Sequence, residues 1–121
     1  MSSCLTKTEK IRKKSEYLTV FRQGERFKGK IVDICLLEKE LGLRRMGLSV
    51  SKRIGNAVVR NRVKRVLREV FRHHKQEFLP GIDMIFIAKK GAEVGKYCDI
   101  ETDVLDILRK RRKIRVSLEK E

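Results

Sequence analysis

The stretch SVSKRIGNAVVRNRVKRVLREVFR, Ser49–Arg72, decides how the whole chain is read. Asn56 is a good helix N-cap. Beyond it Val59, Val63, Val66, Leu67, Val70, His74 and Phe78 recur at the spacing of one buried helical face. The pattern predicts a long helix from Ala57 to about Leu79, stopped by Pro80 and Gly81. That helix also carries Arg60, Arg62, Lys64, Arg65, Arg68 and Arg72 against one acid, Glu69. Lys64, Arg65, Arg68, Arg72 and Asn61 fall largely opposite the apolar stripe, with Arg60 and Arg62 flanking it. Like charges one turn apart repel by about 0.2–0.5 kcal/mol per pair. A solvated surface helix interleaves acids with its bases, and this one does not. The face therefore points to a polyanionic partner. Arginine grips phosphate through a planar fork of donors, Asn61 can add hydrogen bonds, and the helix N-terminus beside them offers unpaired N–H groups.

Composition agrees. The 121 residues suit one domain, with 31 Lys+Arg against 16 Asp+Glu, a net charge of +15 and a pI near 10.2. Such an excess suits nucleic acid or an anionic membrane. No apolar run approaches the roughly 18 residues of a membrane span, and the N-terminus lacks a signal peptide's apolar core. Cys4, Cys35 and Cys98 are odd in number and far apart, with no CxxC and only the adjacent His73 and His74. That excludes a disulfide framework or a zinc site. A reduced, soluble, cytoplasmic protein that makes no membrane contact is expected.

Outward from the long helix, the rest of the chain falls into short elements. Residues 1–14 and 113–121 read as flexible basic tails. SEYLTVFRQG, 15–24, predicts a short helix capped by Ser15 and stopped by Gly24. ERFKGKIVDICLLEKE, 25–40, has Val32, Ile34 and Leu36 alternating with Asp33 on the other face. It predicts one long bent strand or two short ones, with Gly29 a candidate bulge. LGLRR makes a turn around Gly42. RMGLSVS, 45–51, sends Met46, Leu48 and Val50 to the core. Gly47, Ser49 and Ser51 form a small-residue face that another backbone can approach. IDMIFIAKK, 82–90, is apolar on both faces and predicts a central strand. Asp99 can cap a last helix packed through Ile100, Val104, Ile107 and Leu108, with basic last turns from Arg109 to Lys113. No repeat or linker interrupts this order. The expected fold is α+β: a single-domain α-β-β-β-α-β-α sandwich with a mixed sheet.

Catalytic candidates are few. Asp99, Asp103 and Asp106, at i, i+4 and i+7, could gather three carboxylates for a metal. Their place near a helix start equally suits the helix dipole, pointing away from the apolar stripe. His74 lies in the core stripe with His73 beside it, which favours a structural histidine; neither has a carboxylate at ligand spacing. Tyr17 and Phe21, at i and i+4, suit either core packing or base stacking. No active site emerges.

SVSKRIGNAVVRNRVKR followed by LREVFR closely resembles the signature of the protein subunit of bacterial ribonuclease P, centred on Arg60, Asn61 and Arg62. The preceding helix and strand and the following strand DMIFIAKK resemble it too, so the likeness spans most of the chain. The resemblance implies a left-handed strand-helix-strand crossover, against the usual preference. It implies a protein cofactor of a ribozyme: the catalytic RNA, with Mg2+, hydrolyses a phosphodiester and removes the 5′ leader of precursor tRNA. No catalytic residue and no dedicated metal site is then expected in the protein. Lys52, Arg53, Asn56, Arg60, Asn61, Arg62, Lys64, Arg65 and Arg68 would contact the RNA subunit. Tyr17, Phe21, Ser49, Ser51, Lys89 and Lys90 would line a cleft for the single-stranded leader. Cys35 stands where family members often place an aromatic or hydroxyl side chain, which weakens the assignment of a contact there. Two other classes share parts of the pattern. A ribosomal or other structural RNA-binding protein would share the charge but has no need of the Arg60–Arg62 signature. A protein nuclease would use the three aspartates.

Overall fold

The computed structural model describes residues 9–39, 44–78 and 81–110. Helix α1 (Lys14–Gln23) leads into strands β1 (Glu25–Phe27), β2 (Val32–Glu38) and β3 (Arg44–Ser49). Helix α2 (Ala57–His74), strand β4 (Ile82–Ala88) and helix α3 (Tyr97–Lys110) follow. The sheet order is β1-β2-β4-β3. β1 and β4 run antiparallel to β2, and β3 runs parallel to β4. A parallel neighbour needs a crossover, and α2 supplies it. The α+β order and the mixed sheet are as the sequence predicts, with β4 central and buried almost throughout.

The period-two pattern divides the sheet. Val32, Ile34, Leu36, Met46, Met84 and Phe86 face α2 and α3, meeting Val63, Leu67, Val70, Phe71, Ile100, Val104 and Leu108 in the main core. Burying each large side chain of this set contributes about 1.5–3 kcal/mol. The other face holds a smaller cluster of Ile11, Val20, Cys35 and Ile85, lidded by α1.

Several expected boundaries shift for identifiable reasons. Asn56 caps α2, its Oδ1 accepting the Val59 N–H at 3.0 Å. The helix ends at His74, however, and a 3-10 turn (Lys75–Glu77) delivers Phe78 in extended backbone. Fully buried Phe78 then packs on Phe71 with ring centroids 5.5 Å apart. The helix thus stops short of the predicted end, and Leu79 and Pro80 lie outside the described residues. The sequence segment 25–40 is two strands joined as a hairpin, and Gly29 lies in its turn rather than at a bulge. A β-carbon there would sit 2.4 Å from the Val32 carbonyl oxygen and 2.7 Å from Asp103 Oδ2. Arg44 joins Arg45 in β3 rather than ending a turn, and the turn expected around Gly42 lies outside the described residues.

The basic arm also needs correction over residues 9–14. Ile11 is buried, its N–H donates to the Met46 carbonyl at 2.9 Å, and Lys10 bridges β3 in parallel. α1 accordingly starts at Lys14 with Lys13, not Ser15, in the capping position, and Glu16 accepts the Arg12 and Lys13 N–H groups. Residues 1–8 and 111–121, with the tail expected over 113–121, lie outside the described residues.

Candidate nucleic-acid interface

Two surfaces meet along the β3 edge. On the first, β3 runs into an exposed turn bearing Lys52 and Arg53, and Asn56 then opens α2. The three residues of the Arg60-Asn61-Arg62 motif differ in what holds them. Arg60 donates from Nε to the Gly55 carbonyl at 3.1 Å, which braces the helix start. Arg62 reaches the loop before α3, donating from Nη1 to the Gly95 carbonyl at 3.4 Å and from Nη2 to the Glu93 carbonyl. Asn61 is exposed. Lys52, Arg53, Lys64, Arg65 and Arg68 make no side-chain hydrogen bond or ion pair with any described residue. Arg72 leaves the stripe: it pairs with Glu69 at 3.2 Å and contacts His73.

The second surface lies beside α1. Lys64 and Arg68 line one groove with Arg12, Tyr17, Gly47 and Leu48, so it adjoins the first. Tyr17 lies against Gly47, where a β-carbon would come within 2.8 Å of its Oη, and its hydroxyl accepts the Leu48 N–H at 3.1 Å. The small residue on this strand thus admits an aromatic ring, not a backbone. Phe21, one turn on, is 42% exposed and so is not a core residue. Ser49 is half-buried beside Ile87 in the sheet register, while Ser51 and Lys90 are exposed. Lys89 is committed elsewhere, donating to the Gly29 carbonyl at 2.8 Å and pairing with Asp33 at 3.1 Å. Cys35 does not reach the cleft. It is buried beneath α1, its Sγ donating to the Val20 carbonyl at 3.4 Å, and burial pushes its thiol pKa up.

A long helix opening on Arg-Asn-Arg, placed between β3 and β4 and facing an aromatic cleft, can be set beside known proteins. The sequence model of the Ribonuclease P family matches residues 5–112. The "Ribonuclease P protein component" of Syntrophus aciditrophicus is 43% identical over 96 residues, covering 79% of this chain and 81% of that one. Its counterpart in Clostridium botulinum is 35% identical over 105 residues, covering 86% of this chain and 95% of that one. The Staphylococcus aureus RNase P protein structure superposes with a TM-score of 0.81 at 29% identity, covering 90% of this chain and 100% of that one. The chain belongs to the ribonuclease P protein family. Its role is that of the enzyme's protein subunit in tRNA 5′ processing.

Within this ribonuclease P protein the acids have structural duties. Asp103 does not point away from the core. It is 8% exposed, and its carboxylate accepts the N–H groups of Lys30 (3.0 Å), Ile31 (2.9 Å) and Val32 (2.9 Å), fastening the hairpin to α3. Asp99 stands in the first turn, not at the cap, and accepts the Lys96 N–H at 2.9 Å. Asp106 is exposed. With Asp103 filled by three N–H donors, the three aspartates do not fit a protein-held magnesium ion. Among the described residues no three His, Cys, Asp or Glu side chains are grouped to hold a metal, and no helix is long and apolar enough to cross a membrane.

Sequence reasoning missed the charges beneath α1. Asp83 is 2% exposed and gripped by Arg45 through two bonds of 2.9 and 2.7 Å, with Lys39 at 3.1 Å. Arg45 also reaches Glu16 of α1 at 3.2 Å. Burial alone would raise the Asp83 pKa, but the guanidinium and the ammonium outweigh it and hold the carboxyl below its ordinary value. Asp33 repeats the arrangement with Arg26 and Lys89. The available signal was an acid inside each apolar run, VDICLL and IDMIFIA, where burial demands a cationic partner. His74 is structural as expected, but it does have carboxylates: Glu77 at 3.0 Å, three residues on, and Glu101 of α3.

Proposed function

We propose that this chain is the non-catalytic cofactor of an RNA enzyme. The exposed edge from Lys52 through Arg68 would grip the catalytic RNA. The cleft between α1 and the sheet would hold the single-stranded 5′ leader of precursor tRNA, with Tyr17 and Phe21 as stacking surfaces. The one observation that carries this reading is the split among the cations. Lys39, Arg45 and Lys89, on the α1 face of the sheet, are paired with buried acids, whereas Lys52, Arg53, Lys64, Arg65 and Arg68 have no partner among the described residues. Unpaired guanidinium groups at one edge suit phosphates, which position an RNA without reading its sequence. Arg62 belongs to this surface chiefly by tying the loop at Glu93–Gly95 to α2. Because Asp103 is consumed by the hairpin, phosphodiester hydrolysis falls to the RNA, which in this reading also holds the Mg2+ ions.

Cleavage of precursor tRNA by RNA alone, by rigorously RNA-free protein and by both together tests the assignment. The protein alone should be inactive at every magnesium concentration, and adding it to the RNA should enhance leader removal. Specific cleavage by the protein alone would contradict it. A structural RNA-binding protein would leave the rate unchanged.

A further inference from the structure

The open face of the sheet has a polar end that the cleft assignment above leaves unused. Along one row of the register Asp33, Ile87 and Ser49 lie side by side on β2, β4 and β3. Glu16 of α1 reaches Arg45, while Tyr17 binds the Leu48 N–H, which turns the Tyr17 and Phe21 side of α1 toward that row. At the β2 end, Asp33 is 2% exposed yet stays charged. Its Oδ2 accepts Arg26 Nε at 3.0 Å and Nη2 at 2.8 Å, and its Oδ1 accepts the Gly29 N–H at 3.1 Å and pairs with Lys89 at 3.1 Å. Burial of Asp33 opposes its charge, but these partners outweigh it and keep its pKa below the ordinary carboxylate value. Lys89 is also spent on the Gly29 carbonyl. Arg26 is not spent. Its side chain is 52% exposed, and Nη1 is left without a partner among the described residues.

The geometry points to Arg26 as a phosphate-binding residue of the leader cleft, held in place by Asp33. A guanidinium fixed along one edge loses little further freedom when its other edge meets a phosphate. Two cations against one acid leave this end of the cleft with one net positive charge. Its ligand is a backbone phosphodiester of the single-stranded leader, crossing β1 and β2 after its bases pass Phe21. The proposal rests on the cleft reading above and adds a named subsite to it.

The test uses the holoenzyme reconstituted with the full chain, precursor tRNAs with leaders of increasing length, and mature tRNA, across a range of salt. Arg26→Gln keeps a donor toward Asp33 and removes the charge; Tyr17→Ala serves as the comparison, and a thermal melt accompanies each. Losing one single-strand phosphate contact should make the log–log salt slope shallower by about 0.7, hence about fivefold weaker binding near 0.1 M salt. That loss should appear only with leaders long enough to reach Arg26, and not with mature tRNA. Independently of any variant, neutralising leader phosphates one at a time as methylphosphonates should reveal a linkage that weakens the wild type. The same substitution should leave Arg26→Gln unaffected. Unchanged binding by Arg26→Gln while Tyr17→Ala loses leader-dependent affinity overturns the subsite and spares the cleft. No sensitive linkage in the wild type, or weakening with an unchanged salt slope, overturns it as well. Equal loss with mature tRNA moves Arg26 to another RNA surface. Wild-type affinity that ignores leader length overturns both readings.

Discussion

Arg45 and Arg68 carry the same side chain in opposite circumstances. Arg45 lies under α1, clasped by Asp83 and Glu16. Arg68 stands exposed on α2 with no partner among the described residues. The same contrast runs through the molecule. On the α1 face of the sheet, Lys39, Arg45 and Lys89 each meet one of two buried aspartates, so their charge is part of the architecture, while Arg26 shares Asp33 and keeps one edge free. Along the β3–α2 edge, Lys52, Arg53, Lys64 and Arg65 join Arg68 with no acid to neutralise them among the described residues. A buried aspartate without a cation would be prohibitive, so Asp33 and Asp83 need the cations around them. An exposed cation costs little alone, but several together repel one another until a polyanion arrives. Net charge by itself cannot separate the two populations; pairing does.

If that contrast is sound, the largest effect comes from breaking the paired set. Asp83→Ala removes the acid that Arg45 grips through two bonds, leaving it only Glu16, and should destabilise the fold by about 1.5–3 kcal/mol in denaturant titration. Loss of less than about 0.5 kcal/mol would put Arg45 among the surface charges, where substitutions usually fall within that range. Tyr17→Ala comes next. It should weaken precursor tRNA binding by the holoenzyme by about 1–3 kcal/mol, with little change for mature tRNA or for assembly with the catalytic RNA. Equal losses for precursor and mature tRNA would remove the short helix from leader recognition.

A pH series sharpens the contrast at the junction of α2 and α3. His74 is partly buried, which disfavours its charge, but Glu101 and Glu77 outweigh burial and raise its pKa above 6.5. A raised value means the folded state binds the proton more tightly. This contribution is therefore complete below pH 6.5 and fades as pH climbs through the folded value. Asp33 and Asp83, lowered from 3.8, behave oppositely. Their contribution is present above pH 3.8 and fades as pH falls through their folded values. Melting temperature should thus decline on both sides of a plateau, and His74→Gln should remove the decline on the alkaline side. Persistence of that decline in His74→Gln would show that the His74 clamp is not its source.

Much of this was legible before any coordinates. Asn56, the valine spacing and the Arg60-Asn61-Arg62 signature fixed α2, its exposed face and the family together, because cap, period and motif are all local. What could not be read depends on partners distant in sequence. Arg62 meets carbonyls 31 and 33 residues away, and Asp103 meets N–H groups 71–73 residues away. Spacing within one helix cannot reveal either. Phe71, fully buried, was missed beside the predicted stripe because the packing of α3 widens the apolar arc beyond a single file of positions. Leu105 of α3, 7% exposed, was missed in the same way. Lys89 was legible as a cation near the cleft, but not as one already bound to Asp33.

The smallest expected change in stability belongs to the measurement that bears most directly on the unpaired edge. Replacing Arg65 and Arg68 together by Ala should leave the unfolding free energy within about 0.5 kcal/mol of wild type, since neither side chain holds the fold. Affinity for the catalytic RNA, followed from low to high salt, should fall. Its log–log salt slope should become shallower by about 0.7–0.9 for each phosphate contact removed. A shallower slope with an unchanged melt is the result this account predicts. An unchanged slope and affinity would make the α2 stripe an ordinary solvated face and contradict the account.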